Sequence, residues 1–179
     1  RLKISSQQLL KTLSGLAHLQ ISRSEFNLKD ELLTLLENQR LANHGQKDLR
    51  LQLRYLVESE NAYVSHFYLL GAIQNLLDNA VKYSGTAPEV TVICYQKRGT
   101  LVIEIRDNGV GIPKKKQKHI FNKYYQVNKE DPAPGKKGYG LGLNYVYNVV
   151  KAHKGRITVN STPGKGSTFT IYIRKWKKK

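Results

Sequence analysis

The chain has 179 residues and a formal charge of +17, and 40% of its residues are hydrophobic. That composition suits one medium soluble domain with a real core and excludes a wholly disordered chain. No apolar run approaches the ~20 residues of a membrane-spanning helix, no signal-peptide pattern opens the sequence, and one cysteine, Cys94, excludes an internal disulfide.

Cys94 sits in an apolar stretch, which predicts a buried thiol in a reducing compartment. The start at Arg1 and the absence of methionine suggest a fragment or a processed piece. His18, His44, His66, His119 and His153 have no ligand-like spacing, so a structural metal site is not expected. Positive charge of this size attracts polyanions. It concentrates in Lys114–Lys116, Lys136–Lys137 and the terminal run from Arg174 to Lys179. No zinc-finger spacing, RNA-recognition aromatic motif or helix-turn-helix accompanies it, and no nucleic acid partner is expected.

Taken in order, residues 1–22 read as a helix, with Leu2, Leu9 and Leu16 seven apart and Leu13 and Gln20 in the complementary seam. Glu25–Leu28 reads as a short strand. Lys29–Asn43 reads as a helix with Leu32, Leu33, Leu35, Leu36 and Leu41 inward and Gly45 as its stop. Leu49–Leu56 alternates as a strand does. A helix is predicted from about Val64 to Tyr83, ending at Ser84-Gly85. A hairpin follows, Val90–Gln96 and Leu101–Asp107 around Lys97–Thr100, and then a long irregular basic region to Gly138. Leu141–His153 reads as a helix, with strands Arg156–Ser161 and Ser167–Ile173 after it. This order gives an α+β fold, a two-layer sandwich with helices on one face of a mixed, mainly antiparallel sheet, preceded by a helical stub.

Three stretches carry chemistry. In NLLDNAVKYS (Asn75–Ser84), Asn75 and Asn79 share a helix face, Lys82 and Tyr83 follow within a turn, and Leu76, Leu77 and Ala80 fall on the other side. Taken alone, those four polar residues read as a solvated helix face. DNGVGIP (Asp107–Pro113) ends a strand with an acid and two glycines, which fits a loop whose backbone approaches a flat ligand, or a plain surface turn. Gly138-Tyr139-Gly140-Leu141-Gly142-Leu143 opens a helix whose free N–H groups suit phosphate.

Together these three resemble the N box and the two glycine boxes of sensor histidine kinases. Ile120–Gln126 is similar to the phenylalanine box between them, and Thr162–Phe169 to the closing glycine-threonine segment. The likeness covers about Glu25 to Ile173. It implies a Bergerat-type ATP-binding domain over 23–175, after residues 1–22 as the end of a dimerisation hairpin and before a basic tail at 176–179. It also implies ATP and Mg²⁺ as ligands: Asp107 takes the adenine amine, with Gly109, Gly111 and Ile112 in the loop against the base. Asn79 holds the metal, Asn75 supports metal and phosphates, Lys82 neutralises phosphate charge and Tyr83 lies near the ribose. Tyr124, Lys137, Gly138, Gly140, Leu141, Gly142, Leu143 and Thr168 complete the nucleotide contacts, and Lys123 or Lys136 is an alternative reach to the γ-phosphate. Gln126–Lys137 has the composition of a mobile lid.

Related hydrolytic ATPases carry a glutamate where Asn75 stands, and asparagine is no general base. The resemblance therefore implies γ-phosphoryl transfer with Asn75 and Lys82 as catalytic groups. The acceptor is a histidine followed by an acid; no such pair occurs in this chain, which places it upstream. The partners implied are the phosphoacceptor domain of the same kinase, a response regulator, and a second copy in a full-length homodimer. The implied setting is the cytoplasmic side of an inner-membrane protein. The alternatives are a hydrolytic ATPase module of the same superfamily or a degenerate kinase-like binding domain. Two departures from the pattern are Tyr139, where a smaller residue is common, and the lack of an aspartate before the N box, in Asn61–Phe67.

Overall fold

The computed structural model describes residues 21–46, 48–127, 139–174, 176 and 177. They run β1 (Ser24–Asn27), α1 (Leu28–Ala42), β2 (Arg50–Leu56), β3 (Asn61–Val64), α2 (His66–Tyr83), β4 (Glu89–Lys97), β5 (Thr100–Asp107), α3 (Lys114–Gln117), α4 (Gly142–Ala152), β6 (Arg156–Thr162) and β7 (Gly166–Ile173). A five-stranded sheet has the order β2-β4-β5-β7-β6, and β1 and β3 form a separate antiparallel pair. Among the described strands only β2 and β4 pair in parallel. A parallel pair needs a crossover, and here the crossover carries β3 and α2.

The β4–β5 hairpin closes at Arg98 and Gly99, both at positive φ (49° and 72°), the backbone of a tight two-residue turn that matches strand twist. Along β5, Leu101, Ile103 and Ile105 face the helices and are fully buried. They meet Leu69, Ile73, Leu76 and Leu77 of α2, Val146, Val149 and Val150 of α4, and Phe169 and Ile171 of β7 in one core. Full burial of each such side chain contributes about 1.5–3 kcal/mol. Cys94 is buried in this core, and burial pushes its thiol up to about 12.

The two-layer mixed, mainly antiparallel architecture is the one expected, with four differences in detail. First, the helix expected from Val64 starts at His66, because Asn61–Val64 is a strand paired with β1. Second, Leu33 and Leu41 are 48% and 59% exposed; the buried stripe of α1 is Leu28, Leu32, Leu36 and Gln39, and those two leucines lie off it. Third, α1 does not stop at Gly45. Asn43 caps it, its Nδ2 donating to Gln39 O at 2.8 Å. Fourth, Lys114–Gln117 forms a short helix inside the region expected to be irregular.

Residues 1–20 of the expected first helix lie outside the described residues; Ile21 and Ser22 are described and are not helical. Trp176, read from sequence as the start of a tail, is 1% exposed, and its carbonyl accepts from Tyr63 N–H at 2.6 Å. No helix among the described residues is long and apolar enough to cross a membrane.

Candidate functional site

The site begins where β5 ends. Asp107, Ser167 and Ser161 stand in one register row across β5, β7 and β6. Asp107 Oδ1 accepts from Gly109 N–H at 2.8 Å and Ser167 N–H at 3.1 Å. Among the described residues no hydrogen bond reaches Oδ2. Burial holds the Asp107 carboxyl above its ordinary range, against the opposing pull of those two N–H bonds.

The loop after Asp107 is tied down on both sides. Val110 N–H donates to Tyr83 O at 3.0 Å, at the end of α2, and Gly164 N–H to Val110 O at 2.9 Å. Gly111 has φ +70°, and a Cβ there would collide with the Thr162 carbonyl, so the chain passes too close for any other residue. Ile112 N–H donates to Ser161 Oγ at 2.8 Å. Gln117, 8% exposed, donates through Nε2 to the Ile112 and Ser161 carbonyls, both at 2.8 Å, and clamps α3 onto β6.

The second wall is α2. Asn75 Nδ2 donates to Gly71 O at 2.8 Å, and a Cβ on Gly142 would lie 2.8 Å from Asn75 Oδ1. The start of α4 thus rests directly on that carboxamide. Gly71 lets Tyr145 of α4 come equally close, a Cβ there falling 2.7 Å from its hydroxyl. Asn79 is half-buried one turn along α2, and its carboxamide engages no hydrogen-bond partner among the described residues. Lys82 Nζ sits 5.3 Å from the ring centre of Tyr83. Tyr83 is 41% exposed, and partial burial raises its phenol.

The third wall opens α4. Leu141, 4% exposed, precedes its first residue, Gly142, and Leu143 packs against the core. Among the described residues no side chain caps this helix start, which leaves its first N–H groups without an intrahelical partner. Tyr124 N–H donates to Gly140 O at 2.9 Å, pinning the phenylalanine-box segment beside it. Tyr124 itself is 57% exposed with Lys123 Nζ 5.2 Å over its ring, and Tyr139 is 71% exposed.

The structure therefore brings Asn75, Asn79, Lys82, Tyr83, Asp107, Gly109, Gly111, Ile112, Gly140, Leu141 and Gly142 around one region of the surface. Thr168 is not among them on the same side. Its register partners are Arg106 and Asn160, on the face away from the helices. Lys136, Lys137 and Gly138, with most of the Gln126–Lys137 segment, lie outside the described residues. Ser161, Ser167 and Gln117 are not among the site residues expected from the sequence. Strand alternation from Asp107 singles out Ser161 and Ser167 only once the β5–β7–β6 register is known.

A family profile described as "Histidine kinase-, DNA gyrase B-, and HSP90-like ATPase" matches residues 68–177. The chain is 34% identical over 125 residues to the adaptive-response sensory kinase SasA of Crocosphaera subtropica, covering 69% of this chain and 32% of that protein. It is 40% identical over 106 residues to the sensor-like histidine kinase SenX3 of Mycolicibacterium smegmatis, covering 59% and 27%. It spans a third or less of the length of these relatives. Among solved structures, the fold matches full-length ShkA in complex with AMPPNP (TM-score 0.80, 19% identity, 92% of this chain and 34% of that one). It also matches the mycobacterial sensor histidine kinase MprB (TM-score 0.69, 24% identity, 85% and 97%).

Proposed function

The chain belongs to the histidine kinase-, DNA gyrase B- and HSP90-like ATPase family, and within it we propose the ATP-binding catalytic domain of a sensor histidine kinase. The observation that carries this is how α2 joins the two ends of the site. Through Tyr83 O it fixes the loop that bears Asp107, and through Asn75 it receives the glycine start of α4. A ligand with a flat base at one end and phosphates at the other fits that span.

In this reading Asp107 Oδ2 accepts from the adenine amine while Gly109, Gly111 and Ile112 line the base. Lys82 neutralises phosphate charge, and Tyr83 flanks the ribose. The N–H groups at Gly142 and Leu143 meet the phosphates, assisted by the α4 dipole. Lys123, Lys136 or Lys137 reaches the γ-phosphate from the lid. The Asn79 carboxamide oxygen, a hard neutral donor without a competing hydrogen bond among the described residues, fits Mg²⁺, a cation that neutralises phosphate charge when bound. Asn75, held by the Gly71 carbonyl, orients the phosphate end.

No side chain at Asn75 can take a proton from water, so the arrangement favours phosphoryl transfer to another group, in which the protein contributes position and charge. The acceptor is a histidine on the dimerisation hairpin of the same kinase, with residues 1–22 as the end of that hairpin. A response regulator then receives the phosphoryl group. The domain runs from about residue 23 and includes Trp176; the parent is a homodimer anchored in the inner membrane with this domain in the cytoplasm.

Calorimetric titration with a non-hydrolysable ATP analogue, with and without Mg²⁺, followed by transfer from labelled ATP to the separately supplied hairpin, tests the proposal. Mg²⁺-sensitive binding with label on the hairpin histidine is the expected result. Steady phosphate release without an acceptor would replace the kinase with a hydrolytic ATPase, and no binding at millimolar analogue would leave a degenerate domain.

A further inference from the structure

The proton arrangement around Asp107 has one solution, and it bears on which purine the site accepts. Ser161 Oγ lies 2.9 Å from Gly166 O, 3.0 Å from Ser167 Oγ and 2.8 Å from Ile112 N. A carbonyl only accepts, so the contact to Gly166 O takes the single hydroxyl proton of Ser161. Ile112 N–H occupies one lone pair of Ser161 Oγ. Ser167 must then donate its own proton to the other, because Ser161 has none left for it. Both hydroxyl protons point into the sheet.

Four of the neighbouring backbone donors are also taken up. Gly109 and Ser167 N–H go to Asp107 Oδ1, Val110 N–H to Tyr83 O and Asn108 N–H to Glu89 O. Beside them stand Asp107 Oδ2, which no hydrogen bond reaches among the described residues, and the lone pairs of Ser167 Oγ; these side-chain atoms are acceptors only.

We propose that Ser161 is a specificity-determining positioning residue: by holding the Ser167 proton inward it makes the Asp107–Ser167 side-chain pair an acceptor-only surface that takes a 6-amino purine and rejects a 6-oxo purine. This rests on the nucleotide reading above. A 6-amino group brings protons to both acceptors, whereas a 6-oxo group turns its oxygen on them and leaves buried acceptors unmatched, a mismatch that costs far more than a missing methyl group. Ser161 touches no ligand; it acts through Ser167.

The test is the ratio of affinities for ATP and inosine triphosphate, which differ at the 6-position and its neighbouring ring nitrogen. Both are measured by calorimetry on the wild type, Ser161→Ala, Ser161→Thr and Ser167→Ala. In Ser161→Ala the Ser167 hydroxyl is released to donate, and the ATP/ITP ratio should narrow about tenfold or more, with ITP gaining. Ser161→Thr keeps the oxygen and should keep the ratio. Ser167→Ala keeps the backbone N–H to Asp107 and should weaken ATP, which gives a reading even if Ser161→Ala folds poorly. A purely structural role would lower both affinities together and leave the ratio unchanged, and that result overturns the inference while ATP binding stands. Failure of the wild type to bind ATP at all would remove the nucleotide reading and the inference with it.

Discussion

Replacing Asp107 with asparagine separates recognition from folding at one atom. Oδ1 accepts both the Gly109 and Ser167 N–H groups, so an asparagine must put its oxygen there and its amide NH₂ where Oδ2 was. Two donors then face the adenine amine. Losing a charge-assisted hydrogen bond costs ~1.5–3 kcal/mol, and the unsatisfied donor adds ~1–3 kcal/mol. The sum of ~2.5–6 kcal/mol corresponds to about a 10²- to 10⁴-fold rise in Kd. Stability should move the other way. Because burial raises the Asp107 carboxyl, the folded chain keeps this proton at pH values where the unfolded chain has lost it. Stability therefore falls as pH rises from the ordinary aspartate range through the raised value, then levels off. Asp107→Asn lacks that fall and should be at least as stable at neutral pH. Calorimetry with the ATP analogue and thermal melts from acid to neutral pH read the two effects. An asparagine variant that binds within about threefold of wild type, or that melts well below it at neutral pH, would refute the reasoning.

Gly142→Ala should gain up to about 1 kcal/mol of helix stability, yet its Cβ must displace Asn75 Oδ1, 2.8 Å away. The expected outcome is an unchanged or raised melting temperature with phosphoryl transfer to the hairpin reduced at least about tenfold, a loss typical of misplaced catalytic groups. His153 is fully buried, its Nδ1–H donating to Val149 O at 2.8 Å and its Nε2 accepting from Ser65 N–H at 3.0 Å. Burial holds its pKa below the ordinary value, so its contribution is intact above about pH 6.5 and declines as pH falls below that toward the depressed value. His153→Phe should cost about 2 kcal/mol by orphaning the Ser65 N–H, and the gap from wild type should shrink in melts as pH falls. Gly166→Ala adds left-handed strain at φ +87° to a collision with the Asp107 carbonyl and should cost more than about 3 kcal/mol. Gly164→Ala at φ +75°, with nothing within 4 Å, should cost about 1 kcal/mol, and urea titration distinguishes the two.

Much of this was legible in the sequence, and the reasons differ by element. The helix around NLLDNAVKYS and the β4–β5 hairpin are read correctly because periodicity and turn chemistry are local signals. β3 was missed because NAYV is too short to alternate visibly and is a strand only by pairing with β1. Leu33 and Leu41 read as inward because α1 is rich in leucine on several sides, and only packing chooses the stripe. Thr168 and Ser167 illustrate the limit at the site. They are adjacent in sequence, and a one-residue difference in β7 sends one side chain toward Asp107 and the other to the opposite face. Composition offers no sign of the Ser161 hub, since its partners come from a loop and a strand that meet it only in three dimensions.

The partner that completes Asp107 lies 60 residues further along the chain. During synthesis, the β4–β5 hairpin can close as soon as Asp107 emerges, but the second neighbour of β5, β7, arrives only about 60 residues later. Non-local pairing of this kind is slow to form. A ligand stabilises only the conformation that binds it, so nucleotide cannot draw a half-made chain forward. It can act only on a polypeptide in which β7 has docked on β5, and binding then reports that this sheet is assembled.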